Sequence, residues 1–109
     1  MKSYKLEIEN DIEYVVINLT LEEVKNWKKF VKENYNFLKK PYFKFIIFDL
    51  SGKYYGMFYT KKYKFHNLKG PAFLDPWRES LYLDGVKYEM EEEYINELRK
   101  RILNTILNG

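Results

Sequence analysis

The stretch YFKFIIFDLSGKYYGMFYT, Tyr42 to Thr60, decides how this chain is read. Its first part, YFKFIIFDL, is aromatic and β-branched almost throughout, which suits a long strand better than a helix. Ser51 and Gly52 supply a turn, and KYYGMFYT returns as the partner strand, with Gly56 marking a bulge or a close backbone approach. KKYKF, Lys61 to Phe65, either extends that strand or begins a loop.

Working back toward the N-terminus, YKLEIE alternates, with Tyr4, Leu6 and Ile8 expected on the buried face and Lys5, Glu7 and Glu9 on the solvent face. Asn10 and Asp11 turn the chain, and IEYVVINL follows as a more deeply buried strand. Thr20 and Glu23 have capping-box spacing, so a helix starts there. Its expected inward stripe is Leu21, Val24, Trp27, Phe30, Val31, Tyr35 and Leu38, and Pro41 stops it just beyond Lys40. Trp27 is expected in the core.

Toward the C-terminus, Gly70-Pro71 punctuates, AFL is a short strand, Asp75-Pro76 turns, and RESLYL runs into Asp84-Gly85. Asp-Gly between apolar residues is a strong hairpin signal, because both turn positions need positive φ. Val86 to Tyr88 would return, and Glu91, Glu92 and Glu93 load acid onto the first turn of a second helix, favourable to its dipole. Ile95, Leu98, Ile102 and Ile106 form its expected apolar stripe. The element order ββα-ββββ(β)-α predicts an α+β fold, an antiparallel sheet of about five to seven strands with two helices packed on it, in a single domain over residues 1–109.

With 109 residues, 46% of them hydrophobic, the chain can build one core. No cysteine means no disulfide framework and no thiolate metal site, consistent with a reducing compartment and a cytoplasmic protein. Charges alternate through MKSYKLEIEN where a signal peptide needs an apolar run, and no segment has the length of a membrane span.

The net charge of +3 conceals a pattern: residues 1–24 carry −4, residues 25–69 carry +10 and residues 70–109 carry −3. A basic middle between acidic ends suits an anionic partner, and the alternative is an ordinary lysine-rich solvated surface. The candidate partner-binding residues are Lys44, Lys53, Tyr59, Lys61, Lys62, Tyr63 and Lys64, where lysines and rings interleave.

Catalytic patterns are weak. His66 is the only histidine, and Ser3, Ser51 and Ser80 lack a nucleophile-elbow context. One histidine and no cysteine make zinc a poor fit, while Asp49, Asp75, Glu79 and Asp84 read as turn carboxylates without nuclease spacing. Isolated glycines make no phosphate-cradling loop. The expectation is a protein that is not an enzyme and uses no metal and no small-molecule cofactor.

KYYGMF resembles the ribonucleoprotein signature of RNA-recognition motifs only at Lys53, Tyr55 and Gly56, with Tyr54 where a glycine belongs, and the element order differs from that fold. The segment HNLKGPAFLDPWRESLYLDG, His66 to Gly85, resembles the MORN-like hairpin repeat of phage and bacterial proteins at His66, Gly70, Pro71, Ala72, Tyr82 and Gly85, with Asp84 for the usual asparagine. It departs at Asn67, Lys69 and Leu81, and Asp75-Pro76-Trp77 replaces a glycine turn. The resemblance implies a hairpin scaffold without shared catalytic residues. By analogy it implies a small phage protein that binds and inhibits a host protein or ribonucleoprotein, such as a CRISPR defence target, presenting the Lys-rich middle or the acidic C-terminal helix to it, in the host cytoplasm and away from membranes. Direct RNA or DNA binding through the central lysines and tyrosines, and a structural or virion role, are the alternatives.

Overall fold

A computed structural model describes residues 3–108. The elements in chain order are β1 (Lys5–Glu9), β2 (Ile12–Thr20), α1 (Leu21–Val24), α2 (Trp27–Tyr35), a 3-10 turn (Asn36–Leu38), β3 (Tyr42–Phe48), β4 (Tyr54–Lys61), β5 (Lys64–Phe65), β6 (Phe73–Leu74), β7 (Glu79–Leu83), β8 (Val86–Tyr88) and α3 (Glu91–Asn108). They form an α+β fold around one mixed, mostly antiparallel sheet ordered β1-β2-β3-β4-β6-β7-β8, with β5 also on β4.

One pairing departs from the antiparallel expectation: β2 and β3 are parallel, with Ile17 beside Phe45 and Leu19 beside Ile47. The helical segment between them returns the chain to the starting end of β2, so β3 must run in the same direction. That segment is not a single helix. The Thr20 capping box forms as expected, with Glu23 N–H donating to Thr20 Oγ1 and Thr20 N–H to Glu23 Oε1, but α1 lasts four residues and Asn26, at φ −124°, redirects the chain. The short helix turns the chain over the end of β2, and α2 crosses the sheet.

The main core lies between α2 and one sheet face: Val15, Ile17, Leu19, Phe43, Phe45, Ile47 and Phe58 meet Val31 and Tyr35. Trp27 is half-buried rather than enclosed, its ring 5.4 Å from both Phe45 and Phe58. On the opposite face Tyr14, Val16 and Tyr59 make a smaller cluster with Tyr42, Ile46 and Met57.

Three two-residue turns have both central residues at positive φ: Asn10-Asp11, Lys62-Tyr63 and Asp84-Gly85. Two carry the expected turn residues. The third carries Lys62 and Tyr63, at φ 49° and 66°, which resolves KKYKF into the end of β4, a turn and β5. Left-handed backbone at a non-glycine residue costs about 1–2 kcal/mol. Here Lys62 N–H donates to Pro41 O at 2.8 Å, and the Tyr63 ring packs on the core beneath Lys32 Nζ. Gly85 sits at φ +85° with the Lys64 side chain 3.3 Å from where a Cβ would stand. Gly85→Val is therefore expected to cost about 1–3 kcal/mol, because valine resists this φ. A thermal melt checks it, and an unchanged Tm would contradict the tight turn.

The first strand corrects its expectation. Tyr4, Leu6 and Ile8 do lie on the α2 side, since Leu6 is in register with core residue Val15 and the Tyr4 ring meets Tyr35, yet Leu6 and Ile8 are 51% and 77% exposed. β1 is the sheet edge, and α2 meets the chain at Tyr4 while leaving Leu6 and Ile8 largely uncovered. Glu9, expected at solvent, is half-buried on the other face.

Candidate interaction surface

The seven sequence-derived candidates separate into three environments. Lys44 and Tyr59 are neighbours across β3 and β4, on the face away from α2. Both are directed inward to Glu9: Lys44 Nζ lies 3.1 Å from Glu9 Oε2, and Tyr59 OH donates to Oε1 at 2.9 Å. Lys44 Nζ also sits 5.5 Å from the Tyr59 ring centre. Burial, then the Glu9 hydrogen bond and charge, drive the Tyr59 phenol far above its ordinary pKa; burial and the Glu9 charge push Tyr14 up to about 12. These contacts tie β1 to β3 and β4 and turn both side chains toward Glu9.

Lys53 is exposed at the opposite end of β4, beside the turn that Asp49 closes by accepting from Ser51 and Lys53 N–H. The Ser51 hydroxyl, followed by those backbone bonds, holds the Asp49 carboxyl below its usual range. Lys61, Lys62, Tyr63 and Lys64 surround the β4–β5 turn; Lys62 and Lys64 are exposed, Tyr63 half-buried, and Lys61 Nζ lies 3.8 Å from Asp84.

Two clefts flank this turn. One, about 420 Å³, is bounded by Trp27, Lys28, Lys64 and the Asp84-Gly85 turn. The other, about 500 Å³, lies between the 66–69 loop and α3, with Lys61, Lys69 and Arg101 around apolar Leu68, Leu98, Ile102 and Ile106. The loop is pinned to α3 by buried Tyr94, whose hydroxyl donates to Asn67 O and accepts from Gly70 N–H. Asn67 closes the loop on itself by donating to Pro71 O and accepting from Lys69 N–H.

His66 joins the loop to the hairpin: its Nδ1 accepts from Asp84 N–H at 2.9 Å, so the neutral ring carries its proton on Nε2. Nε2 is buried and has no hydrogen-bond partner among the described residues. Burial lowers the His66 pKa against the opposing pull of Asp84. Partial burial disfavours charge on Asp84, but the Arg101 hydrogen bond at 2.8 Å, with His66 and Lys61 nearby, holds its carboxyl below the usual range.

The C-terminal helix α3, one of the two surfaces the sequence offers to a partner, presents apolar residues rather than only its acidic ones. Ile95 and Leu98 are half-buried as expected, but Ile102 and Ile106 are 61% and 72% exposed, and Leu103 and Leu107 beside them 55% and 71%. An 18-residue helix is about 27 Å long, and the strands it packs on, β7 and β8, have five and three residues. The second half of α3 therefore overhangs, and its stripe meets no sheet. Periodicity identifies an apolar face without showing how far its partner extends.

Other groups considered for chemistry stand apart. Asp75 caps its own turn by accepting from Trp77 and Arg78 N–H, and no three His, Asp or Glu side chains are grouped to hold a metal among the described residues. No helix of the described residues is long and apolar enough to cross a membrane. No family model, no curated protein and no solved structure matches the chain.

Proposed function

We propose that this is a non-enzymatic binding protein that engages a larger protein through the overhanging half of α3 and the basic cluster beside it. The observation that carries this reading is the exposed side formed by Ile102, Leu103, Ile106 and Leu107, adjacent to a cleft rimmed by Lys61, Lys69 and Arg101. An apolar helix face with a charged rim suits a partner offering an apolar groove and an acidic border, the helix-in-groove mode of recognition. Inhibition of a host protein or ribonucleoprotein, implied by the hairpin resemblance, is the form of binding we propose.

Recognition of bare nucleic acid has support from the lysines but less from the rings. Single-strand binding combines a basic track with exposed aromatic platforms, whereas Tyr59 is buried and Tyr63 half-buried beside these lysines. Exposed Tyr54 opens the far end of β4, and exposed Trp77 lies in the β6–β7 turn.

The double substitution Ile102→Asp with Ile106→Asp alters exposed positions, so the fold should be kept at a cost of about 1–2 kcal/mol, because both aspartates oppose the helix dipole. A partner recovered by the parent from nuclease-treated lysate should be lost. Lys61→Glu with Lys69→Glu, both on the cleft rim, should weaken the same association, more so at low salt. Retention of the partner by both variants would overturn the reading. Binding of bare RNA or DNA in a gel shift, abolished by the lysine substitutions and kept by the isoleucine ones, would establish nucleic-acid recognition instead.

A further inference from the structure

The free edge of β1 is self-complementary, and we infer that it pairs with β1 of a second copy of this chain, antiparallel about a two-fold axis at Leu6. The inference is independent of the surface on α3.

The Asn10-Asp11 turn places Glu9 opposite Ile12, and residues flanking a two-residue turn exchange both backbone hydrogen bonds. The alternation then gives Glu9, Glu7 and Lys5 to the β2 ladder, opposite Ile12, Tyr14 and Val16. The N–H and C=O groups of Tyr4, Leu6 and Ile8 point away from β2, along an edge that no other strand of the described residues occupies. The same three residues carry the exposed apolar side chains.

Two such edges related by a two-fold axis at Leu6 set Leu6 against Leu6, Tyr4 against Ile8 and Lys5 against Glu7 of the second copy. About six backbone hydrogen bonds would join the copies. The apolar side chains meet on the α2 side. On the other face Lys5 and Glu7, already 3.9 Å apart within one strand, alternate in sign with their counterparts, which favours cross-strand pairing. Neighbouring registers lose this fit. An axis at Lys5 or at Glu7 keeps the backbone pairing but sets that charge directly against its own copy; an axis at Ile8 opposes Glu7 to Glu9, an axis at Tyr4 takes Ile8 out of the pairing within the described residues, and sliding one strand by a single residue faces outward-pointing groups with inward-pointing ones.

The test is the mass of the full chain by sedimentation equilibrium across a dilution series. A dimer is expected at high micromolar concentration, dissociating on dilution because the contact is one short strand. Lys5→Glu, which opposes two acids across the axis, should give a monomer with an unchanged circular dichroism spectrum. Adding Glu7→Lys to it should restore the dimer. Because the chain has no cysteine, Leu6→Cys offers a register check: on the axis the paired Cα atoms would be about 5.5 Å apart, within disulfide range, so oxidation should give a covalent dimer. Ile8→Cys should not cross-link, its counterpart being about 13 Å away along the strand. A monomer at every concentration, a dimer indifferent to Lys5→Glu, or cross-linking at Ile8 in place of Leu6 would overturn the inference.

Discussion

Truncating Phe58 to alanine is expected to destabilise the protein by about 3–5 kcal/mol, the range for removing a fully enclosed ring. Phe58 is completely buried and lies where the aromatic core converges. Its ring stacks on Phe45 at 4.6 Å and on Phe73 at 5.9 Å, and meets Trp27 at 5.4 Å and Phe65 at 5.5 Å. Those partners come from β3, β6, α2 and β5, so the void would open between four elements, none of which can close it alone. The denaturant midpoint should fall with little change in its slope. An unchanged midpoint would mean that Phe58 is not enclosed and that β4 is turned the other way.

The substitution Gly56→Ala is expected to cost about 3 kcal/mol or more, although it adds one methyl group. A Cβ at Gly56 would stand 2.2 Å from the carbonyl oxygen of Leu74 and 3.2 Å from Asp75 Cα. Both are backbone atoms, so relief requires β6 to move off β4, at the upper end of what overpacking costs. The φ of Gly56 is not in the left-handed region. The requirement is for space and not conformation. A urea titration decides it: a wild-type midpoint for the alanine variant would show that β6 does not cross there.

Both residues could be marked in the sequence, and only one could be explained there. Gly56 stood out as a glycine inside a strand, where a bulge or a close backbone contact is expected. Both occur: the register shifts between Ile47 and Phe48, and β6 passes over the glycine. That it is β6 that passes cannot be read locally, because β6 is two residues long and acquires its position from β4 and β7.

The basic residues tell a similar story. Lys44 and Tyr59 resemble Lys61 to Lys64 in local pattern, but a carboxylate 35 positions from Lys44 and 50 from Tyr59 turns them inward. Nothing near them in the chain announces Glu9. In the same way, α3 shows an even apolar stripe from Ile95 to Ile106, and the shortness of β7 and β8 leaves its second half exposed.

The sequence by itself determined what rests on neighbouring residues: the strands of Tyr42 to Thr60, the Thr20–Glu23 cap, the Asn10-Asp11 and Asp84-Gly85 turns, and the α+β class. These follow from dihedral preference, hydrogen bonding across three or four positions, and periodicity. Only the tertiary structure decided the parallel β2–β3 pair, the Lys62-Tyr63 turn, the exposure of Leu6 and Ile8, and the overhang of α3. Each depends on where a distant element ends. Burial reports whether another part of the chain reaches a side chain, and the periodicity of its own segment carries no record of that reach.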